Sequence, residues 1–346
     1  MTQSATRRSR RARIALAAAA ATTMLVTACG SGGSSDGPSS AQGTAGFPVS
    51  ISSALGTAQI PKKPERVVTL GWGSTEAAIA LGVKPVGMRD MKSDCGCDSG
   101  IVPWVQDKLG DAEPTLLPET SKSIPLEQIA ALKPDVILAV QSGLTADQYG
   151  QLEKIAPTVA YPGRTWQTSW QDQTTTVGKA LGKEKEAADL ISTADKQIAD
   201  AKAAHPEFTG KSIAAASATT TDGLNFYFDT DPRTQLLAGL GFTPLPSLAQ
   251  LREQTPPGKF AAPVSWENVP QYNPQVLTSW YLDAAKQQST ESNPVFSNLT
   301  APQRKSYVPL TDPPLVFAVS SPNVLNLPWM LERYVPLLST AAKNAG

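Results

Sequence analysis

The sequence predicts an α/β fold in which two similar halves flank one long helical segment. Three observations predict it. Val177, Leu181, Ala188, Ile191, Ala194, Ile198 and Ala201 recur in steps of three, four and seven within residues 166–205, as one helical face requires. Short β-branched runs alternate with short helical stretches on both sides of that segment. The stretch 263–279 echoes 123–139 at a constant offset of 140.

At 346 residues, 41% of them apolar, the chain can bury a substantial core as one large domain or two ordinary ones. Charged residues are 17% and balanced, which excludes a nucleic-acid binder or a disordered tail. Arg7, Arg8, Arg10, Arg11 and Arg13 form a basic head. The apolar run that follows ends at Val26 and is too short to span a bilayer, so residues 1–28 read as an export signal. Val26-Thr27-Ala28-Cys29-Gly30 resembles a bacterial lipoprotein cleavage box, in which Cys29 becomes the lipidated first residue. A plain secretory signal with a chance cysteine is the alternative. Arg10-Arg11 raises twin-arginine export and Arg13 speaks against it, so that route and Sec both stay open. Cleavage removes five arginines from 30 basic and 30 acidic residues and leaves a net charge of −5. Residues 29–46, mostly Gly, Ser, Ala and Thr, read as a flexible tether.

Residues 47–165 are expected to form the first lobe. A hairpin over 47–58 leads to a buried strand over 66–70, a turn at Gly71-Trp72-Gly73-Ser74, a short helix stopped by Gly82, and a second strand over 83–88. In open α/β sheets ligands sit beyond the carboxyl ends of the strands, where Trp72 and Arg89 fall. Trp72 reads equally well as a core-filling indole. The turn lacks Gly-Lys-Ser/Thr and is no phosphate loop. Cys95 and Cys97 are expected to join in a tight disulfide that fixes their loop. A metal site is not expected, because His205 is the only histidine. Trp104 is placed in an exposed loop. Strands over 136–140 and 158–160 alternate with helices over 126–132 and 146–155, and Tyr161, Arg164, Trp166 and Trp170 crowd ahead of the long segment.

Residues 166–205 form the expected spine. Most charges there lie off the apolar row, Gly182 can kink or interrupt it, and Pro206 closes it. An ordinary surface helix is the plainer reading. The part over 182–204 would be roughly 33 Å long. Residues 206–346 form the second lobe. It has a strand over 211–216, an edge strand at Phe226-Tyr227-Phe228, a helix over 234–240, a last strand over 315–319 and a closing helix over 328–341. In the echo, Glu127 and Glu267 each open a short helix, a place where a carboxylate suits the helix dipole.

Four stretches together carry a family resemblance. They are Pro64-Glu65-Arg66-Val67-Val68-Thr69-Leu70, Leu81-Gly82-Val83-Lys84-Pro85-Val86-Gly87, Leu126-Glu127-Gln128-Ile129 through Lys133-Pro134-Asp135, and Ile155-Ala156-Pro157-Thr158-Val159. The chain resembles the substrate-binding lipoproteins of bacterial ABC importers for ferric siderophores, haem and cobalamin. Ser321-Pro322 through Leu327-Pro328-Trp329 is similar to the actinobacterial iron–siderophore branch. The resemblance implies two Rossmann-like lobes joined by a long rigid helix, a class III periplasmic-binding-protein-like fold, with the ligand in the cleft. It also implies that Glu127 and Glu267 dock on the two permease subunits of an ABC importer. The expected protein is a monomer held to the cell membrane by lipidated Cys29, with no nucleic-acid partner.

A ferric siderophore is a bulky chelate whose iron is already saturated, so a carrier needs flat aromatic walls and a few cations, and neither metal ligands nor a cofactor. Trp72, Trp104, Trp166, Tyr227, Trp280 and Tyr281, with Arg89 and Arg164, are the candidates. The mature chain has only seven arginines, which favours hydroxamate over highly charged chelates. Haem or cobalamin cargo is the alternative. A surface hydrolase is a more distant one, since neither a Gly-x-Ser-x-Gly elbow nor a histidine-based triad is present.

Overall fold

The computed structural model describes residues 46–120, 122–219, 222–281 and 283–346. The basic head, the apolar run, Cys29 and the tether up to residue 45 lie outside them. No helix among the described residues is long and apolar enough to cross a membrane.

A hairpin leads in. β1 (Val49–Ser52) pairs antiparallel with β2 (Thr57–Ile60), and strict alternation turns Val49, Ile51, Ala58 and Ile60 inward. The first sheet comprises β3 (Val67–Thr69), β4 (Gly87–Arg89), β5 (Thr115–Leu117), β6 (Val136–Leu138) and β7 (Thr158–Val159). Its order is β5-β4-β3-β6-β7 and every pairing is parallel. β3, β4 and β6 are buried along their whole length, which is why β3 and β6 read as unbroken apolar runs. The strand order reverses between β3 and β6, and their carboxyl ends open a crevice there.

The second sheet comprises β8 (Ser212–Ser217), β9 (Gly223–Tyr227), β10 (Thr243–Pro244), β11 (Ala261–Ser265), β12 (Val276–Trp280) and β13 (Tyr307–Leu310). The order is β11-β9-β8-β12-β13, with β10 also on β8. β9 runs antiparallel to both of its neighbours, β8 and β11, and the remaining pairings are parallel. The architecture is therefore mixed α/β, with two larger sheets beside the two-stranded hairpin.

Several local expectations change. The segment over 166–205 is two helices, Trp170–Leu181 and Glu184–Ala204, because Gly182 adopts a left-handed φ of 64° and stops the first. They pack antiparallel. Gln171 Nε2 lies 3.4 Å from Asp195 Oδ1, and a Cβ on Gly178 would sit 2.5 Å from that of Ala187. Val177, Leu181 and Ala187 join the core that covers β3 and β6, whereas Ala194 joins a different one with Ile191, Ile198 and Ala201 at its edge. Ala187 is buried in place of Ala188, since a step of seven counted through the break loses its helical phase.

Residues 315–319 are helical. Asp312 Oδ2 accepts from Leu315 N at 3.3 Å and two prolines open the helix Pro313–Ser320, so the cap overrides the β-branched run. The last strand is β13. The run Phe226-Tyr227-Phe228 is not at an edge, for β9 lies between β8 and β11. The echo is also unequal. Glu127 opens the helix Leu126–Ala131, but Glu267 lies in a turn before one 3₁₀ turn at Val269–Gln271. Pro270 stands where the first copy has Ala130 and cannot continue an α-helix.

Candidate functional site

β3 ends at a turn built to present an indole. Gly71 and Gly73 both have left-handed φ, 69° and 76°, and the space beside them is filled by Gln141 and Gln173. Trp72 N donates to Gln141 O at 2.9 Å, which ties this turn to the end of β6. Trp166 comes from the loop after β7, with its centroid 4.9 Å from that of Trp72 and its ring tilted by 51°. A Cβ on Gly143 would lie 2.6 Å from Trp166 Nε1, so glycine there leaves room for the indole. Trp166 itself is held at φ 59°, a costly region for a bulky residue.

The two indoles line a pair of adjoining cavities. The larger, 330 Å³, is walled by Trp72, Arg89, Asp94, Glu119, Leu144 and Trp166 among others. The smaller, 120 Å³, is lined by Trp72, Gln141, Trp166, Arg233, Phe260 and Ser320.

Arg89, the last residue of β4, does not stand free. Its Nη2 lies 2.8 Å from Asp94 Oδ2, and its Nη1 lies 3.3 Å from Glu119 Oε1. Trp72 Nε1 donates to the same Asp94 oxygen at 3.2 Å, and Gly71 N donates to Glu119 Oε2 at 2.8 Å. Burial pushes the Glu119 carboxyl above its usual range, and Arg89 opposes that shift. Cys95 and Cys97 are joined in a disulfide just after Asp94.

Arg233 enters from the other side. Asp231 caps the helix Pro232–Gly239 and accepts from Arg233 N at 2.9 Å. Arg233 Nη1 meets both Asp231 oxygens at 3.1 Å, and the guanidinium lies 4.1 Å from the centroid of the Tyr227 ring. Arg233 Nε has no partner among the described residues. Trp280 Nε1 donates to Tyr227 Oη at 2.8 Å and braces that ring.

The structure thus gathers Trp72, Arg89 and Trp166 at the cavities, with Tyr227 and Trp280 behind Arg233. The remaining candidates lie elsewhere. Trp104 is not in an exposed loop. It is buried on the helix Pro103–Leu109, donates to Glu76 Oε1 at 3.2 Å and stacks on Phe317. Arg164 is exposed in its loop and lines neither cavity. Tyr281 is buried in the core on the far face of the second sheet, its hydroxyl against that of Tyr307. Glu127 and Glu267 are both exposed.

Arg233, Asp231 and Phe260 escaped the sequence reading. Asp231-Pro232-Arg233 did carry a signal, a cap and proline just after an aromatic strand, which marks a carboxyl end. Phe260 carried none. Among the described residues no three His, Cys, Asp or Glu side chains gather to hold a metal ion.

Comparison with known proteins accords with this geometry. The family model "Periplasmic binding protein" matches residues 67–313. The probable siderophore-binding lipoprotein YfiY of Bacillus subtilis is 29% identical over 275 residues, 78% of this chain and 80% of its own length. The crystal structure of Streptococcus pneumoniae PiaA in complex with ferrichrome is 31% identical with a TM-score of 0.78, over 86% of this chain and 100% of that one. Staphylococcus aureus SirA complexed with staphyloferrin B is 29% identical with a TM-score of 0.67, over 82% and 97%.

Proposed function

The chain belongs to the periplasmic binding protein family, and from that premise we propose that it captures a ferric siderophore outside the cytoplasm and delivers it to an ABC importer. The observation that carries this reading is the paired cavity at the β3/β6 crevice, walled by Trp72 and Trp166. Its two indoles are flat, apolar and polarisable, and the charged groups beside them, Arg89 with Asp94 and Glu119, and Arg233, are already paired. That suits a preformed chelate. A hydroxamate chelate is favoured over haem or cobalamin by the ferrichrome bound to PiaA and by the scarcity of unpaired cations here.

The rest of the proposal concerns delivery. Cys29 anchors the chain to the membrane, and residues 30–46 leave the folded body free to reach its transporter. Residues 47–165 and 206–346 act as two lobes that the helices between them hold at a nearly constant spacing. Glu127 and Glu267, both exposed, meet basic sites on the permease subunits. Following tryptophan emission while the purified chain is titrated with ferrichrome, ferrioxamine B, haem and cobalamin tests the cargo. Saturable quenching by the hydroxamates is expected. Silence towards all four would overturn the carrier reading.

A further inference from the structure

Resting on the carrier reading above, we propose that Asp94, Glu119 and Asp231 make these cavities a charge filter. It admits ferric chelates that are neutral or bear a pendant cation, and it turns away polyanionic ones.

Among the described residues Arg89 is the only cation lining the larger cavity, and Asp94 and Glu119 line it too. Asp94 binds the guanidinium at 2.8 Å and Glu119 at 3.3 Å. With both carboxylates ionised the cluster carries one net negative charge. A proton on Glu119, whose burial favours holding one, leaves it neutral. In neither state is it positive.

The smaller cavity follows the same rule. Arg233 is its only charged lining residue among the described ones, and both oxygens of the buried Asp231 balance it at 3.1 Å. The cavity therefore holds no spare positive charge, which suits oxygens that are polar but carry little net charge. Three singly charged hydroxamates cancel the charge of a ferric ion and leave carbonyl oxygens of this kind. Three catecholates, each doubly charged, leave a trianion. Against a wall of indoles the repulsion between that trianion and Asp94 and Glu119 is poorly screened. A pendant ammonium meets attraction at the same place.

The test compares affinities for ferrioxamine B, ferrichrome and ferric enterobactin, cationic, neutral and trianionic in turn, in the full chain and in Asp94→Asn and Glu119→Gln. Asp94→Asn keeps one acceptor oxygen for both Arg89 and Trp72, and Glu119→Gln keeps one for Arg89 or for Gly71. The wild type should rank the three in that order. Its affinity for ferrioxamine B should fall as salt rises, whereas that for the trianion should rise. Asp94→Asn should narrow the cation-to-trianion ratio by about tenfold or more, and Glu119→Gln by less in proportion to the proton that Glu119 already holds. Equal wild-type affinity for the three, or a salt response of the opposite sign, overturns the filter while the carrier reading stands. Those two readouts need no variant to fold. An unchanged ratio in folded Asp94→Asn overturns it as well. Failure of all three chelates to bind overturns both readings.

Discussion

Trp104 and Phe317 lie face to face, their planes within 1° and their centroids 6.0 Å apart. Trp104 belongs to a helix beside the first sheet, and Phe317 to the capped helix that follows β13. Phe317 also takes Trp72 edge-on at 5.1 Å, so one phenyl ring supports both an indole of the cavity wall and an indole of the core.

Phe317→Ala should therefore destabilise the fold and loosen the site together. Removing a phenyl ring this buried costs about 3–5 kcal/mol. Guanidinium unfolding should show that loss, and the emission of the free protein should shift as Trp72 gains solvent. An unchanged midpoint would refute the support role.

Trp72→Ala and Trp166→Ala should each weaken ferrichrome binding by roughly ten- to a hundredfold, as loss of a central aromatic anchor does. Arg164→Ala, exposed and away from both cavities, should change it by less than about twofold. Isothermal titration distinguishes the three.

Charge reversal at Glu127 and Glu267 together should abolish uptake of ferric siderophore by cells and leave ligand affinity intact. A large drop in affinity would mean that these carboxylates serve the cleft and not the transporter.

The chain's one histidine sits at the end of the long helix, with His205 Nδ1 3.0 Å from Glu207 Oε1. Ser339 Oγ donates to the same oxygen, which ties the closing helix to this corner. These bonds, Ser339 first, pull the Glu207 carboxyl down to about 2. A depressed native carboxylate stabilises the fold above its unfolded value of 4.5, and that stability fades as pH falls towards 2. Glu207→Gln should flatten the pH dependence of unfolding between those limits. Two superimposable curves would rule the contribution out.

What was legible in the chain follows from which forces are local. The turn at Trp72 could be read because glycines on both sides of an aromatic, after a β-branched run, have few other uses. Arg89 could be placed at a strand end by the same periodicity. Its partners could not, for Asp94 lies on a following helical turn and Glu119 beyond β5. Trp104 reads as a loop residue from the glycine and proline ahead of it, and only the fold reveals that it sits on a helix with its N–H on buried Glu76. Residues 315–319 have the composition of a strand, and the deciding information lay upstream in Asp312 and two prolines. The echo between halves was genuine in its strands, but one proline was enough to cut the second helix short.

Trp166 is held in a backbone conformation that costs an L-residue roughly 1–2 kcal/mol. Its amide keeps one bond, to Ser142 O at 3.2 Å, and no strand or helix includes it. That torsion belongs to the main chain, so a side-chain flip cannot relieve it. The indole is aimed at Trp72 by its backbone, and the neighbouring Gly143 leaves it the room it occupies.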